Sequence, residues 1–173
     1  LIKNLRVEQR HAEMYRDWAE CAGISQARLF GSTRPAAVTA ITDWCWHVCE
    51  SGELVEAMAA TNYAIEGITG DWSKMVHASE AYANLFQDHE RKKAMRWIQA
   101  HAAYDDKHPV EALEIMCNLL GKNPSLARLE SVKQAIQKSF DLYLLALDTG
   151  MAEGNGEEGA DRKLRIIGVD SWL

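Results

Sequence analysis

Cysteine is sparse in this chain, with Cys21, Cys45, Cys49 and Cys117 scattered over 173 residues and no two of them in a CxxC pair. That spacing excludes a disulfide framework and leaves reduced thiols whose role is packing. Basic charge is also short. Nineteen Lys and Arg stand against 25 Asp and Glu, a net charge of -6, which removes the electrostatic footprint of a nucleic-acid surface. Small molecules or copies of the same chain are the expected partners. No apolar run is long enough to span a bilayer, so no membrane partner is expected. The start Leu1-Ile2-Lys3-Asn4 has neither a signal pattern nor an initiator Met, which reads as a cytoplasmic chain that is processed or truncated. The alternation of a β-strand is almost wholly missing, and there is no internal repeat or second domain. The length suits one domain with a real hydrophobic core.

Helical spacing fills the space left by these absences. Leu5, Met14, Tyr15, Trp18, Ala19 and Ala22 predict a first helix over about residues 2–22, stopped by Gly23. Ser32 or Thr33, with Pro35 just inside, predicts the start of a helix that carries Val38, Ile41, Trp44, Cys45 and Val48 through about Cys49. A third is expected from about Glu53 to Thr69, ending at Gly70, a fourth from about Asp71 to Leu85, and a fifth from near Asp88. Pro109 is expected to bend or break that fifth helix, whose pattern resumes from Val110 to Leu120 before Gly121. Asn123-Pro124 opens a last helix with Leu126, Leu129, Val132, Ile136, Phe140 and Leu147 on its apolar face. The expected organisation is therefore a helical-bundle domain over residues 1–150, followed by a flexible acidic and Gly-rich segment and tail over 151–173. Within that tail, Leu164 to Val169 reads as an edge strand or as part of a neighbouring region.

The densest chemistry lies in His101-Ala-Ala-Tyr104-Asp105-Asp-Lys-His108. His101, Asp105 and His108 stand at i, i+4 and i+7, which on a helix places two imidazoles and a carboxylate on one face. Such a face makes a poor core and a good ligand set for iron, manganese or zinc. Two further segments offer complementary donors. Glu8 and His11 form an ExxH pair on the first helix, an arrangement that gives one carboxylate and one imidazole to a shared site in helix-bundle di-iron proteins. Glu66 lies in the otherwise apolar run Tyr63-Ala-Ile-Glu66-Gly-Ile, where an unpaired charge would be expensive. The mixed oxygen and nitrogen set Glu8, His11, Glu66, His101, Asp105 and His108 suits two ferrous ions, or manganese, better than a structural zinc.

These three segments, from about Glu8 to Leu120 and in this order, resemble the haem-oxygenase-like di-metal oxidase and oxygenase superfamily related to the TenA and PqqC proteins. The resemblance implies an all-α bundle, with the family's helices before the first ligands missing here. It also implies two Fe(II) ions between helices and the activation of dioxygen to oxidise a small organic substrate. By the same resemblance Glu66 bridges the metals, while Glu8, His11, His101, Asp105 and His108 complete their coordination. A homodimer is the common assembly of the family. Tyr63 and Tyr104, one turn from Glu66 and His101, are candidate catalytic phenols.

Other readings remain open on the same residues. A cofactorless PqqC-like oxidase would use the histidines as general acids and bases. A TenA-like thiamin-degrading enzyme would need a cysteine nucleophile, which Cys45 or Cys49 would have to supply. A non-catalytic metal- or ligand-binding protein is the third alternative. Glu13 falls off the ligand face. His47 with Glu50 and His77 with Glu80 lack a third partner at helical spacing and read as surface or interhelix pairs. Trp18, Trp44, Trp46, Trp72 and Trp97 read as buried packing area.

Overall fold

The computed structural model describes residues 8–104 and 108–156, the side chains of Tyr104 and of residues 153–156 excepted. The described residues form an all-α bundle and contain no strand. In chain order the helices are α1 (His11–Cys21), α2 (Gln26–Gly31), α3 (Ala36–Ser51), α4 (Leu54–Met58), a π-helical segment (Ala59–Ile65), α5 (Glu66–His77), α6 (Glu80–Ala83), α7 (Asp88–Ala94), α8 (Arg96–Tyr104), α9 (His108–Leu120) and α10 (Leu126–Gly156). None of them is long and apolar enough to cross a membrane.

Local chemistry explains most of the boundaries. Gly23 ends α1 at a φ of 83°. There its N–H donates to the Glu20 carbonyl at 2.9 Å while the Ile24 N–H reaches back to Ala19 at 2.9 Å. This pair of bonds satisfies carbonyls that the helix end would otherwise strand, and it needs a left-handed residue that glycine supplies without a Cβ penalty. Ser25 then caps α2 by accepting from the Arg28 N–H, a short helix whose single turn or so carries no usable periodicity in the sequence. Pro35 is itself the cap of α3, and the helix begins one residue after it, at Ala36. Gly52 follows α3, where a Cβ would stand 2.6 Å from the Val48 carbonyl oxygen. Only glycine lets the chain turn so tightly into α4. That helix opens with a capping box in which the side chains of Glu53 and Glu56 take up each other's backbone N–H groups. The Glu56 carboxyl is held below the ordinary carboxylate range, chiefly by the hydrogen bond it accepts from Ser131.

Residues 54–77 form one unbroken helical path, which overturns the expectation of a stop at Gly70. Gly70 is buried inside α5 together with Ser73, and their small side chains let α8 pack closely along that helix. Within this path the π-helical segment inserts a wider turn, marked by the Glu66 N–H donating to the Thr61 carbonyl five residues back. Its Ala59, Ala60 and Ala64 are completely buried. Around them close α3, α9 and α10. Val55, Ala59, Met116 and Val132 form one core beside this segment, while Val48, Ala60 and Ala135 form a second with Trp44 against it.

The other end of the long helix carries a separate, aromatic core of Tyr82, Phe86, Ala94, Met95 and Ile98, against which Trp18, Trp72 and Trp97 pack. On its outer side, α1 is tied to α7 and α8 by charge. Lys93 Nζ lies 2.6 Å from Glu20, and Arg96 Nη2 lies 2.7 Å from Asp17. The last helix α10 continues through Gly150 to Gly156, six residues beyond its expected end. The bend expected at Pro109 rests on residues 105–107, and the edge strand expected over 164–169 rests on the tail; both lie outside the described residues.

Two buried serines separate a satisfied hydroxyl from an unsatisfied one. Ser139 accepts from Trp44 Nε1 at 2.8 Å, whereas the Ser73 hydroxyl has no hydrogen-bond partner among the described residues. Ser139→Ala should cost about 1–3 kcal/mol by stranding the indole N–H. Ser73→Ala should lie within about 0.5 kcal/mol of the parent or stabilise it. Urea unfolding of the two variants checks the difference, and equal losses would overturn this account of both sites.

Candidate functional site

The sequence-derived donors fall into two groups. The first is built from α1, α8 and the residues just before α1. His11 opens α1, and its Nδ1 is 2.8 Å from Glu8 Oε2. A carboxylate oxygen accepts, so this nitrogen carries the proton. The ring of His11 lies 4.4 Å from that of His101, tilted by 45°. His101 sits on α8, where its Nδ1 bonds the carbonyl oxygen of Trp97 at 2.8 Å. A carbonyl can only accept, which makes Nδ1 the donor and leaves Nε2 of the neutral ring with an open lone pair. Both imidazoles are therefore held by their Nδ1 atoms, with no hydrogen bond to either Nε2 among the described residues. Metal-binding histidines have this outer-shell arrangement, in which the second nitrogen fixes tautomer and ring orientation.

The exposures within this group differ usefully. The His11 side chain is 14% exposed, against 53% for Glu8. Glu8 therefore holds His11 from the solvent side, and His11 is the more buried of the two. Glu13, expected to lie off the ligand face, approaches Arg96 Nη2 at 3.5 Å and belongs to the charged seam outside.

The second group forms where the π-helical segment gives way to α5. Asn62 Nδ2 donates to Glu66 Oε1 at 2.8 Å, and Glu66 Oε2 lies 3.3 Å from Nδ1 of His108, the first residue of α9. Directly beside this pair, Pro109 covers Gly67, so that a Cβ on the glycine would stand 3.6 Å from Pro109 Cγ. The wider π turn sets the phase of the helix at Glu66, and extra-residue turns of this kind recur at functional sites. Asn62 was visible in the sequence as a neighbour of Glu66, but its role was not. An i, i+4 hydrogen bond between an amide and a carboxylate is the signal that would have found it.

Trp72 of α5 meets Trp97 of α8 at 6.3 Å, and Gly67 of α5 meets Pro109 of α9. Among the described residues no three His, Cys, Asp or Glu side chains converge as one metal-binding group. Asp105 and Tyr104's side chain, two of the expected contributors, lie outside the described residues. Tyr63 is half-buried against the Val55, Ala59, Met116 and Val132 core, which gives that phenol's ring a packing role. The donor chemistry nonetheless fits an iron ion: imidazole nitrogens with fixed tautomers and a carboxylate whose oxygens are already aimed by an amide and an imidazole.

The thiols have a different character. Burial pushes the Cys45 thiol up from its ordinary value, and the neighbouring Cys49 adds to the shift. The Cys21 thiol is also raised, chiefly by burial. Cys45 and Cys49 line an open apolar cavity of about 450 Å³ together with Ile41, Thr42, Trp46 and Ile65.

Comparisons with known proteins agree with this architecture. The chain matches the family described as iron-containing redox enzymes over residues 4–143. It superposes on the crystal structure of a TenA homolog from Pseudomonas syringae pv. tomato str. DC3000 with a TM-score of 0.81 at 42% identity. That match covers 86% of this chain and 60% of the other, so the chain spans about three fifths of the length of that relative. No curated protein matches the chain. A helical bundle with paired carboxylate and imidazole donors, matched over most of its length, belongs to the haem-oxygenase-like family of iron-containing redox enzymes.

Proposed function

We propose that this protein binds Fe(II), as two ions, and uses dioxygen to oxidise a small organic substrate. The observation that carries the reading is the pair of imidazoles His11 and His101, 4.4 Å apart and each anchored through Nδ1. In this reading His11, His101 and His108 supply nitrogen donors, Glu66 and Asp105 supply oxygen donors, and Glu8 sits at the solvent edge. Manganese fits the same donors. Bound iron would supply the electrons that dioxygen needs to react with a closed-shell organic molecule.

The chain's own residues do the rest. Trp97 orients the His101 ring by accepting from Nδ1 with its carbonyl oxygen, which leaves Nε2 as the atom available to a metal. Asn62 fixes one oxygen of Glu66 and leaves the other facing His108. Tyr63 and Tyr104 are the nearby phenols in sequence, and their conversion to Phe tests whether either handles a proton during turnover.

A second reading is favoured by the likeness to a TenA homolog. In it the bundle is a metal-independent enzyme of the TenA or PqqC kind, and the histidines serve as acid and base groups. The cysteine chemistry supports this reading less well. A nucleophilic thiolate needs a lowered pKa, and the Cys45 thiol is raised.

Iron content after anaerobic loading with Fe(II) separates the two. Near two ions per chain, lost in His101→Ala while the helical circular dichroism is kept, is the expected result; no iron above background would move the assignment to the metal-independent reading. Asn62→Ala should weaken Fe(II) binding by about 10–100-fold, as removal of an orienting outer-shell partner does. Competition with a ferrous chelator measures it, and parent-like affinity would remove Asn62 from the site.

A further inference from the structure

Four aromatic rings stand between the first donor group and the surface, and their contacts form a continuous path. Trp97 meets the His101 ring at 4.0 Å between centroids. It stacks on Trp18 at 5.5 Å with only 7° between the planes. Tyr15 meets both indoles edge-on, Trp18 at 5.4 Å and Trp97 at 5.7 Å. Trp72 closes the cluster from α5, 6.1 Å from Trp18. At the outer end Tyr15 is 43% exposed.

Packing alone explains buried aromatic area, but it requires neither end of this path. An apolar core has no need of a candidate ligand ring lying on its innermost indole. Nor does it need a tyrosine that is partly exposed at the other end while burial and the nearby Tyr143 raise the pKa of its hydroxyl. Trp18 also donates its Nε1–H to the Tyr82 hydroxyl oxygen at 2.9 Å, which fixes the orientation of the indole within the path.

We propose that Tyr15, Trp18 and Trp97 form a one-electron relay between the His11–His101 end of the site and solvent. Indole and phenol are the protein side chains that give up one electron most readily, and electron transfer falls steeply with the gap crossed. Rings in contact keep every gap short. The inference rests on the iron-centre reading for what lies at the inner end, and on the ring geometry for the path itself. In the relay, an oxidant of the reduced-dioxygen class, formed at the site when dioxygen is consumed, takes one electron from Trp97 and is itself reduced by one electron, and the hole passes to Trp18 or directly to Tyr15. Tyr15 loses that electron together with its phenolic proton, which goes to solvent. A soluble one-electron donor of the ascorbate or thiol class then returns an electron, and water returns the proton.

Pulse radiolysis of the metal-free full chain tests the path without reference to iron, because the azide radical oxidises tryptophan selectively. The parent should transfer the hole from indole to phenol by a first-order process independent of protein concentration, and Tyr15→Phe, a nearly isosteric change at an exposed ring, should lose that process. No such transfer in the parent, or the same rate and yield in Tyr15→Phe, would overturn the relay. The inner connection is read when Fe(II)-loaded protein meets dioxygen at matched iron content, as the yield of indole and phenoxyl radicals in optical and electron-spin spectra. Trp97→Phe should lose those radicals and Trp97→Tyr should keep a phenoxyl radical, whereas a parent-like yield in Trp97→Phe would sink the connection. A chain that takes up no iron removes the iron-centre reading, and the radiolysis still decides the relay.

Discussion

The close approach of helices around Ala59, Ala60 and Ala64 is the constraint on which the rest of the bundle depends. All three side chains are completely buried, and methyl groups are the largest side chains that let α3, α9 and α10 converge on one helix from three directions. The π turn at the same residues rotates the helix that follows, so that Glu66 emerges facing His108. A single stretch of seven residues therefore sets both the packing of the bundle's apolar half and the phase of its candidate ligand. A bulkier residue there would part the helices and misdirect the carboxylate together.

The division of labour between the two cores follows from this arrangement. The half around Val55, Met116 and Val132 is aliphatic, while the half around Ile98 is aromatic and includes three indoles. The candidate donors lie where these halves meet. Glu66 and His108 pair with each other, and His11 and His101 lean on the aromatic half through Trp97. Each imidazole of the first group is held by a group that can only accept a hydrogen bond, so the tautomers are set by covalent identity and not by local acidity.

Much of this was legible in the sequence because it rests on short-range rules. Gly23 and Gly121 marked helix ends and Pro35 marked the start of α3. The apolar spacing of α10 foretold its packed face only in part, since Val132 and Ile136 pack into the core while Leu126, Leu129 and Leu147 stand exposed. The pairs Glu8 with His11 and Glu66 with His108 joined residues singled out for their chemistry. The misses share a cause. Gly70 reads locally as a helix stop, yet the packing of α8 on α5 repays the conformational cost of a glycine inside the helix. The π turn leaves no trace in composition, and the orienting roles of Asn62 and the Trp97 carbonyl depend on where a helix points. Trp97 was legible as packing area, but its contact with His101 was not.

The charged seam on the outer side of α1 has a consequence for the helix it holds. Asp17 and Glu20 meet Arg96 and Lys93 across an exposed boundary, whereas the inner side of α1 rests on Trp18 and Ala19. Charges at such a boundary are attenuated by mobile ions, over a screening length of about 8 Å at physiological ionic strength. The aromatic contacts are not attenuated in this way. Ionic strength therefore acts on the seam that joins the helix of His11 to that of His101, while the ring contact of Trp97 with His101 does not depend on it.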